Sequence, residues 1–304
     1  MSKSMPALIA DTTVHDLVPA QGGAPWRIFL HVPSGPVPEA GWPVLYMTDG
    51  NAVIGTAVDA MRAQAFYPTG TNVGWGVIVA IGYPVDGAYD PLRRSWDLGP
   101  PPGKTYPPFY EGTPEVRTGG AAEFLAFIED ELKPWVASRI TVDASRQALY
   151  GHSFGGLFAL YALFTRPSAF QTWIAASPAI YWEERAIDRF LETFEAAIPA
   201  GLAATVILSA GEYETEKLAP FQIGAEDEEK RLQQKKITRT DEFARAMAQR
   251  LDALSGVRAR FELHAGENHM SILPVTVNRA VQAAFAVKKR CQLPNSTERE
   301  NLAG

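Results

Sequence analysis

The chain has 304 residues and a single cysteine, Cys291, set in a polar C-terminal stretch. One thiol cannot close a disulfide within the chain, so packing and hydrogen bonds must hold the fold. A free thiol without disulfides fits a reducing interior. No glycine-rich turn or neighbouring histidine frames Cys291, so it is not expected to act as a nucleophile. Basic charge is also scarce: 28 Lys and Arg stand against 34 Asp and Glu, a net charge of −6. A nucleic-acid binder would carry a basic footprint, so no nucleic-acid partner is expected. No apolar run approaches a membrane span, and no membrane partner is expected. Met1 to Ala10 holds one lysine and no apolar run long enough for a signal peptide. A soluble, cytoplasmic protein is the expectation. Motifs for metals and nucleotides are missing as well. There is no H-E-x-x-H, His264 and His269 are not at an i, i+4 spacing, and neither G-x-x-x-x-G-K-[ST] nor G-x-G-x-x-G occurs. Neither a metal nor a cofactor is expected.

What is present is a core. Apolar residues make up 46% and charged residues 20%, the balance of a globular enzyme. Thr12 to Val18 and Trp26 to Val32 read as strands, joined by a turn at Gln21-Gly22-Gly23-Ala24-Pro25, and predict an antiparallel hairpin. Pro43 to Met47 and Gly76 to Ile81 are apolar throughout, which predicts strands covered on both faces. Further strands are predicted at Gln147 to Tyr150, Phe170 to Ala175, Thr205 to Ser209 and Val257 to His264. Helices are predicted at Ala52 to Phe66, Ala121 to Val136, Leu157 to Thr165, Arg185 to Ala197, Asp241 to Leu254 and Ser271 to Val287. Glu226 to Lys236 is a charged run that reads as a solvated helical face. The alternation of strands and helices predicts an α/β fold with an eight-stranded, mostly parallel sheet and helices on both faces. Residues 11–287 are expected to form one domain, with a disordered N-terminus at 1–10 and a polar tail at 288–304. Gly82 to Gly120 reads as a long loop rich in proline and glycine, of a length that is usually functional.

The organising stretch is Gly151-His152-Ser153-Phe154-Gly155-Gly156, a G-x-S-x-G sequence between an apolar strand and a helix. A serine on such a strand-to-helix turn is the nucleophile elbow of an α/β-hydrolase. In an open α/β sheet, function collects at the carboxyl ends of the strands. That rule gathers Asp49-Gly50-Asn51, the 82–120 loop, Ser153, Ser177 to Trp182, Gly211 to Glu214 and His269 on one rim. Ser153 needs a base, and His269 follows the last strand, where this fold delivers its histidine. His264 sits inside a strand, His152 is next to the serine, and His15 and His31 lie in the first strands. The acid that orients the histidine follows the seventh strand, where Glu212, Glu214 and Glu216 compete. The oxyanion needs two backbone N–H groups. Phe154 supplies one, and Gly50 or Asn51 the other.

The segments VLYMTDGN (44–51), TGGAAEFLAFIEDELKPWV (118–136), YGHSFGGLFALYALFTRP (150–167) and SPAIYW (177–182) together resemble the enterochelin-esterase-like branch of the α/β-hydrolases. The likeness runs from about Trp26 to Phe285. This branch contains siderophore esterases that hydrolyse ferric enterobactin, salmochelin and bacillibactin. The wider family includes S-formylglutathione hydrolases, feruloyl and acetylxylan esterases, and mycolyl transferases. The resemblance implies Ser153 as nucleophile, His269 as base and Glu214 as acid, with Glu212 as rival. It implies a small-molecule ester substrate, a siderophore. Ferric tris-catecholate is an anion with aromatic rings. Arg93, Arg94 and Lys104 would meet its charge, and Trp96, Tyr106, Phe109 and Trp182 its rings. The plainer reading is that one arginine pairs with Asp97 and the aromatics pack the loop. Another esterase or thioesterase, an acyl transferase, and a siderophore-binding protein without turnover are the rival functions.

Overall fold

Two apolar hexapeptides, Trp42–Met47 and Val77–Gly82, are buried along their whole length. They can only be central strands with both faces covered. The computed structural model describes residues 7–108 and 111–287, and places them in the middle of one sheet. The expected tail at 288–304, Phe109, Cys291 and most of the N-terminal segment lie outside the described residues.

In chain order the strands are β1 (Thr12–Leu17), β2 (Trp26–His31), β3 (Trp42–Met47), β4 (Val77–Gly82), β5 (Val142–His152), β6 (Thr172–Ala176), β7 (Ala204–Gly211) and β8 (Val257–His264). They are ordered β1-β2-β4-β3-β5-β6-β7-β8. β1 pairs antiparallel with β2, and β2 with β4. All other neighbours are parallel. The eight-stranded, mostly parallel sheet expected from the sequence is therefore present.

The helices are α1 (Gly50–Ala65), α2 (Pro91–Leu98), α3 (Ala121–Ala126, continuing through a π-helical stretch Phe127–Leu132 into Lys133–Ala137), α4 (Phe154–Thr165), α5 (Asp188–Ala196), α6 (Glu228–Thr238), α7 (Thr240–Asp252) and α8 (Ile272–Ala284). Side chains alternate across each strand and so build two cores. Val44 and Tyr46 of β3 join Phe124 of α3, Leu160 of α4 and Leu251 of α7 on one face. Leu45 and Met47 join Val53 and Met61 of α1 and Val281 of α8 on the other. Tyr46 and Tyr150 are fully buried, and burial raises both phenol pKa values above their ordinary range. Among the described residues, no helix is long and apolar enough to cross a membrane.

Three differences from the sequence reading have local causes. The 82–120 segment is not a bare loop. Asp90-Pro91 opens α2: the Asp90 carboxylate accepts the Arg93 N–H at 3.1 Å, and proline sits in the first turn. Farther on, Thr105–Tyr106 and Val116–Arg117 pair as a small antiparallel ribbon. In α3, the π-helical stretch ends just before Pro134, which has no N–H for a regular turn and whose ring crowds the preceding turn. The helix expected from Arg185 begins at Asp188. Before it, Glu183, Glu184 and Arg185 all take positive φ (48°, 54° and 64°), a left-handed turn that non-glycine residues adopt only under constraint.

Candidate active site

β5 ends at Gly151-His152, and the chain turns sharply into α4 at Ser153, whose φ of 59° and ψ of −116° lie in a strained region. The crossing is tight. A Cβ on Gly151 would come within 2.0 Å of the Gly155 carbonyl oxygen, and one on Gly155 within 2.2 Å of Thr48 Oγ1. Only glycine lets strand, helix and the end of β3 approach this closely.

The loop between β8 and α8 brings His269 over this turn. Its Nε2 lies 3.0 Å from Ser153 Oγ, and its Nδ1 lies 2.6 Å from Glu214 Oε1. An ionised carboxylate can only accept, so Nδ1 carries the proton and Nε2 is free to accept from the serine. Glu214 ends a one-turn helix, Glu212–Glu214, directly after β7. Its side chain is buried, and its second oxygen accepts from Ser177 Oγ at 2.5 Å and from the Gly211 N–H at 2.8 Å. Burial favours the protonated acid. The His269 contact and the two further donors outweigh it and hold the carboxyl below its ordinary pKa.

Of the three competing glutamates, Glu214 alone reaches the imidazole ring. Glu212 turns outward, where it accepts the Gly266 N–H at 2.9 Å and pairs with Lys217 at 3.5 Å. Glu216 is exposed. Ser177, which the sequence placed on the rim without a role, is fully buried against Glu214; a hydroxyl at a strand end does not announce that partner.

Phe154 is the first residue of α4, and Gly50 and Asn51 are the first two of α1. N–H groups in a first helical turn have no intrahelical acceptor, so these positions are ones that can supply backbone donors. The Asn51 side chain is otherwise engaged. It donates to the Tyr83 and Val85 carbonyls, both at 3.0 Å, and accepts the Tyr83 N–H at 2.9 Å.

The two arginines expected to meet substrate charge are held elsewhere. Arg93 donates to the carbonyls of Pro25 (2.5 Å) and Ala24 (3.3 Å) and lies over the Trp26 and Tyr83 rings. These partners lie at the start of β2, which stands three places from β5 in the sheet order. Arg94 makes a bidentate pair with Asp49 at 2.8 and 2.9 Å and lies over the Tyr89 and Phe154 rings. Burial opposes its charge, but the Asp49 carboxylate prevails and raises its pKa. Arg94 therefore braces the turn before Gly50 and the Phe154 ring. Among the described residues neither arginine makes a direct ion pair with Asp97, although the Arg93 charge favours its ionised form; Asp97 accepts from Trp26 Nε1 at 2.7 Å. Lys104 is exposed and 3.3 Å from Glu184. Trp182 does stand at the rim: it meets Phe154 edge-on at 4.6 Å and Tyr106 at 5.2 Å.

Removing the guanidinium would leave a buried carboxylate unpaired. Arg94→Met is expected to lower the unfolding free energy by about 3–5 kcal/mol. Urea titration checks this, and a loss below about 1 kcal/mol would show that Asp49 needs no partner.

A cavity of about 440 Å³ opens beside His269, with Tyr181, Tyr213, Phe221, Arg231, Lys235 and Met270 among its walls. Two of these, Arg231 and Lys235, come from α6. The charged run is helical as expected, but it is not simply a solvated face, because one side of it walls the cavity. Lys235 Nζ donates to the carbonyls of Tyr213 and Thr215, on either side of Glu214. Arg231 pairs with Asp227 at 2.6 Å.

An elbow serine, a histidine after the last strand and this strand order together define an α/β-hydrolase. The chain belongs to the putative esterase family, whose family model matches residues 21–271. The ferri-bacillibactin esterase of Bacillus subtilis is 36% identical over 263 residues, covering 86% of this chain and 84% of that protein. The siderophore triacetylfusarinine C esterase of Aspergillus fumigatus is 36% identical over 258 residues, covering 80% and 81%. Among solved structures, the BES protein from Bacillus cereus aligns with a TM-score of 0.79 at 28% identity, covering 94% of this chain and 99% of that one.

Proposed function

We propose that the protein is a serine esterase that hydrolyses ester bonds in the backbone of a siderophore. The observation that carries the reading is the continuous contact Ser153–His269–Glu214, at 3.0 and 2.6 Å. His269 Nε2 takes the Ser153 proton as Oγ attacks the ester carbonyl. The oxyanion is held by the Phe154 N–H and that of Gly50 or Asn51. His269 then passes its proton to the departing alkoxide, leaving an acyl group on Ser153. A water, deprotonated by the same nitrogen, attacks that acyl group; His269 returns the proton to Ser153 Oγ as the acid is released. Glu214 keeps the Nδ1 proton in place and stabilises the imidazolium in both steps.

The substrate class rests on the relatives' activities and on the walls of the site. Tyr181, Tyr213 and Phe221 bring aromatic side chains to the cavity lining, and Arg231 and Lys235 bring basic ones. Trp182 extends the aromatic surface on the side of Phe154. This suits an aromatic, anionic iron-binding arm. Joining several such arms on one backbone gives each a high effective concentration at the metal, and cutting the ester abolishes it. Hydrolysis would therefore weaken the chelate and release iron.

Product analysis by mass spectrometry tests the reading. The panel is a ferric catecholate trilactone, a ferric hydroxamate ester, a feruloyl ester and p-nitrophenyl butyrate. Cleavage of a siderophore ester with a higher kcat/KM than the feruloyl ester is expected; turnover of the feruloyl ester alone would contradict it. Within the same panel, Arg231→Ala is expected to raise KM for the preferred siderophore roughly three- to tenfold, with p-nitrophenyl butyrate unaffected. An equal effect on both substrates would remove Arg231 from the binding surface.

A further inference from the structure

We infer that His152, the residue before the elbow serine, is a positioning residue that ties the backbone of the His269 loop to the end of β5. Its Nε2 lies 2.8 Å from the His269 carbonyl oxygen, and the two imidazole rings face each other at 4.8 Å with a 40° tilt. A carbonyl oxygen only accepts, so His152 Nε2 carries a proton. The G-x-S-x-G pattern itself leaves the identity of this position open.

The arrangement closes a short ring of contacts. His152 and Ser153 are adjacent in the chain. One holds the His269 backbone at 2.8 Å, and the other meets the His269 ring at 3.0 Å. Other ties on this loop come from other directions, including the Glu214 bond to the His269 ring. Tyr213 N–H donates to the Glu267 carbonyl at 2.9 Å, and Gly266 N–H donates to Glu212 at 2.9 Å, both from the β7 side. Asn268 closes the turn itself by accepting the N–H groups of Met270 and Ser271. His152 is thus the tie that sets how far the base stands from the nucleophile's own strand. His152 is 3% exposed. Burial, followed by the charge His269 acquires, pushes its pKa down to about 4. A neutral ring there can donate its hydrogen bond without opposing the imidazolium that forms on His269 during turnover.

The inference rests on Ser153 and His269 acting as nucleophile and base, and the experiment separates the two. His152→Leu removes the donor and keeps the bulk apolar, whereas His152→Gln keeps an N–H. With p-nitrophenyl butyrate, His152→Leu is expected to lower kcat about 100-fold with KM within about threefold, since misplacing a reacting group by about 1 Å has effects of this order. His152→Gln should recover at least about tenfold of that loss. Nitrogen-15 NMR of the wild-type enzyme at pH 7 should show His152 as the neutral Nε2–H tautomer, a readout that needs no variant to fold. The inference is overturned by a kcat for His152→Leu within about threefold of wild type, by equal impairment of both variants, or by an Nδ1–H tautomer. A wild-type protein that hydrolyses no ester at all would overturn the esterase reading and this role with it. That failure is recognisable before any variant is made.

Discussion

Ser153→Ala is expected to lower kcat/KM for any ester substrate by at least about 10⁴-fold, with the fold intact. The loss is that large because no neighbouring group can take the role of the hydroxyl. His269 Nε2 stands 3.0 Å from that oxygen, and no other serine, threonine or cysteine contacts the ring in the described residues. Hydrolysis by water alone would retain only what the oxyanion donors and the binding walls provide. Stability should change little: among the described residues the Ser153 side chain makes one hydrogen bond, to a half-exposed histidine, and alanine meets the same positive-φ strain. The measurement is steady-state hydrolysis of p-nitrophenyl butyrate and of the preferred siderophore, with a thermal melt alongside. A variant that keeps more than about 10% of wild-type turnover would exclude Ser153 as the nucleophile.

Glu214→Gln is expected to lower kcat by about 10³–10⁴-fold with KM little changed, whereas Glu212→Gln stays within about threefold of wild type. The amide is nearly the same shape as the carboxylate, so the argument is one of donors and acceptors. Glu214 accepts from His269 Nδ1, from Ser177 Oγ and from the Gly211 N–H. An amide has one oxygen. Turned toward His269, it sets its NH₂ against the Gly211 N–H, donor against donor. Turned the other way, its NH₂ faces Nδ1 and selects the tautomer with the proton on Nε2. That tautomer cannot accept a proton from Ser153. The negative charge that steadies the imidazolium is lost in either case. Glu212, by contrast, touches the loop backbone and an exposed lysine and never the ring. Parallel kinetics on the two variants check this; equal losses, or a larger loss for Glu212→Gln, would reassign the acid.

The choice between these two glutamates shows where sequence reasoning ends. Both follow β7, and both are acidic. The one-turn helix at Glu212–Glu214 rotates the chain by about 120° per residue, so residues two apart face different ways. Nothing in GEYE announces that turn, and position after a strand could not decide between them. The central strands were legible for the opposite reason: runs such as VIVAI leave no alternative to double burial. The elbow was legible because three glycines and a serine had to stand between a strand and a helix. Arginine destinations were not legible. Arg93 and Arg94 are adjacent on α2, yet one meets carbonyls of the β1–β2 turn and the other Asp49 after β3. Those partners are brought near only by the finished sheet order. The same holds for α6, whose charged sequence describes a solvated helix correctly along most of its surface. Only its docking beside the Glu214 turn places Arg231 and Lys235 in a cavity wall.

The central claim is that one serine, made nucleophilic by one histidine, performs the hydrolysis. Reaction of the wild-type protein with a fluorophosphonate, followed by intact-mass and peptide analysis, tests it most directly. The account predicts one phosphonyl group per chain, located on Ser153, with hydrolysis lost in proportion to labelling. A label on another residue, or full hydrolytic activity after exhaustive treatment, would contradict it.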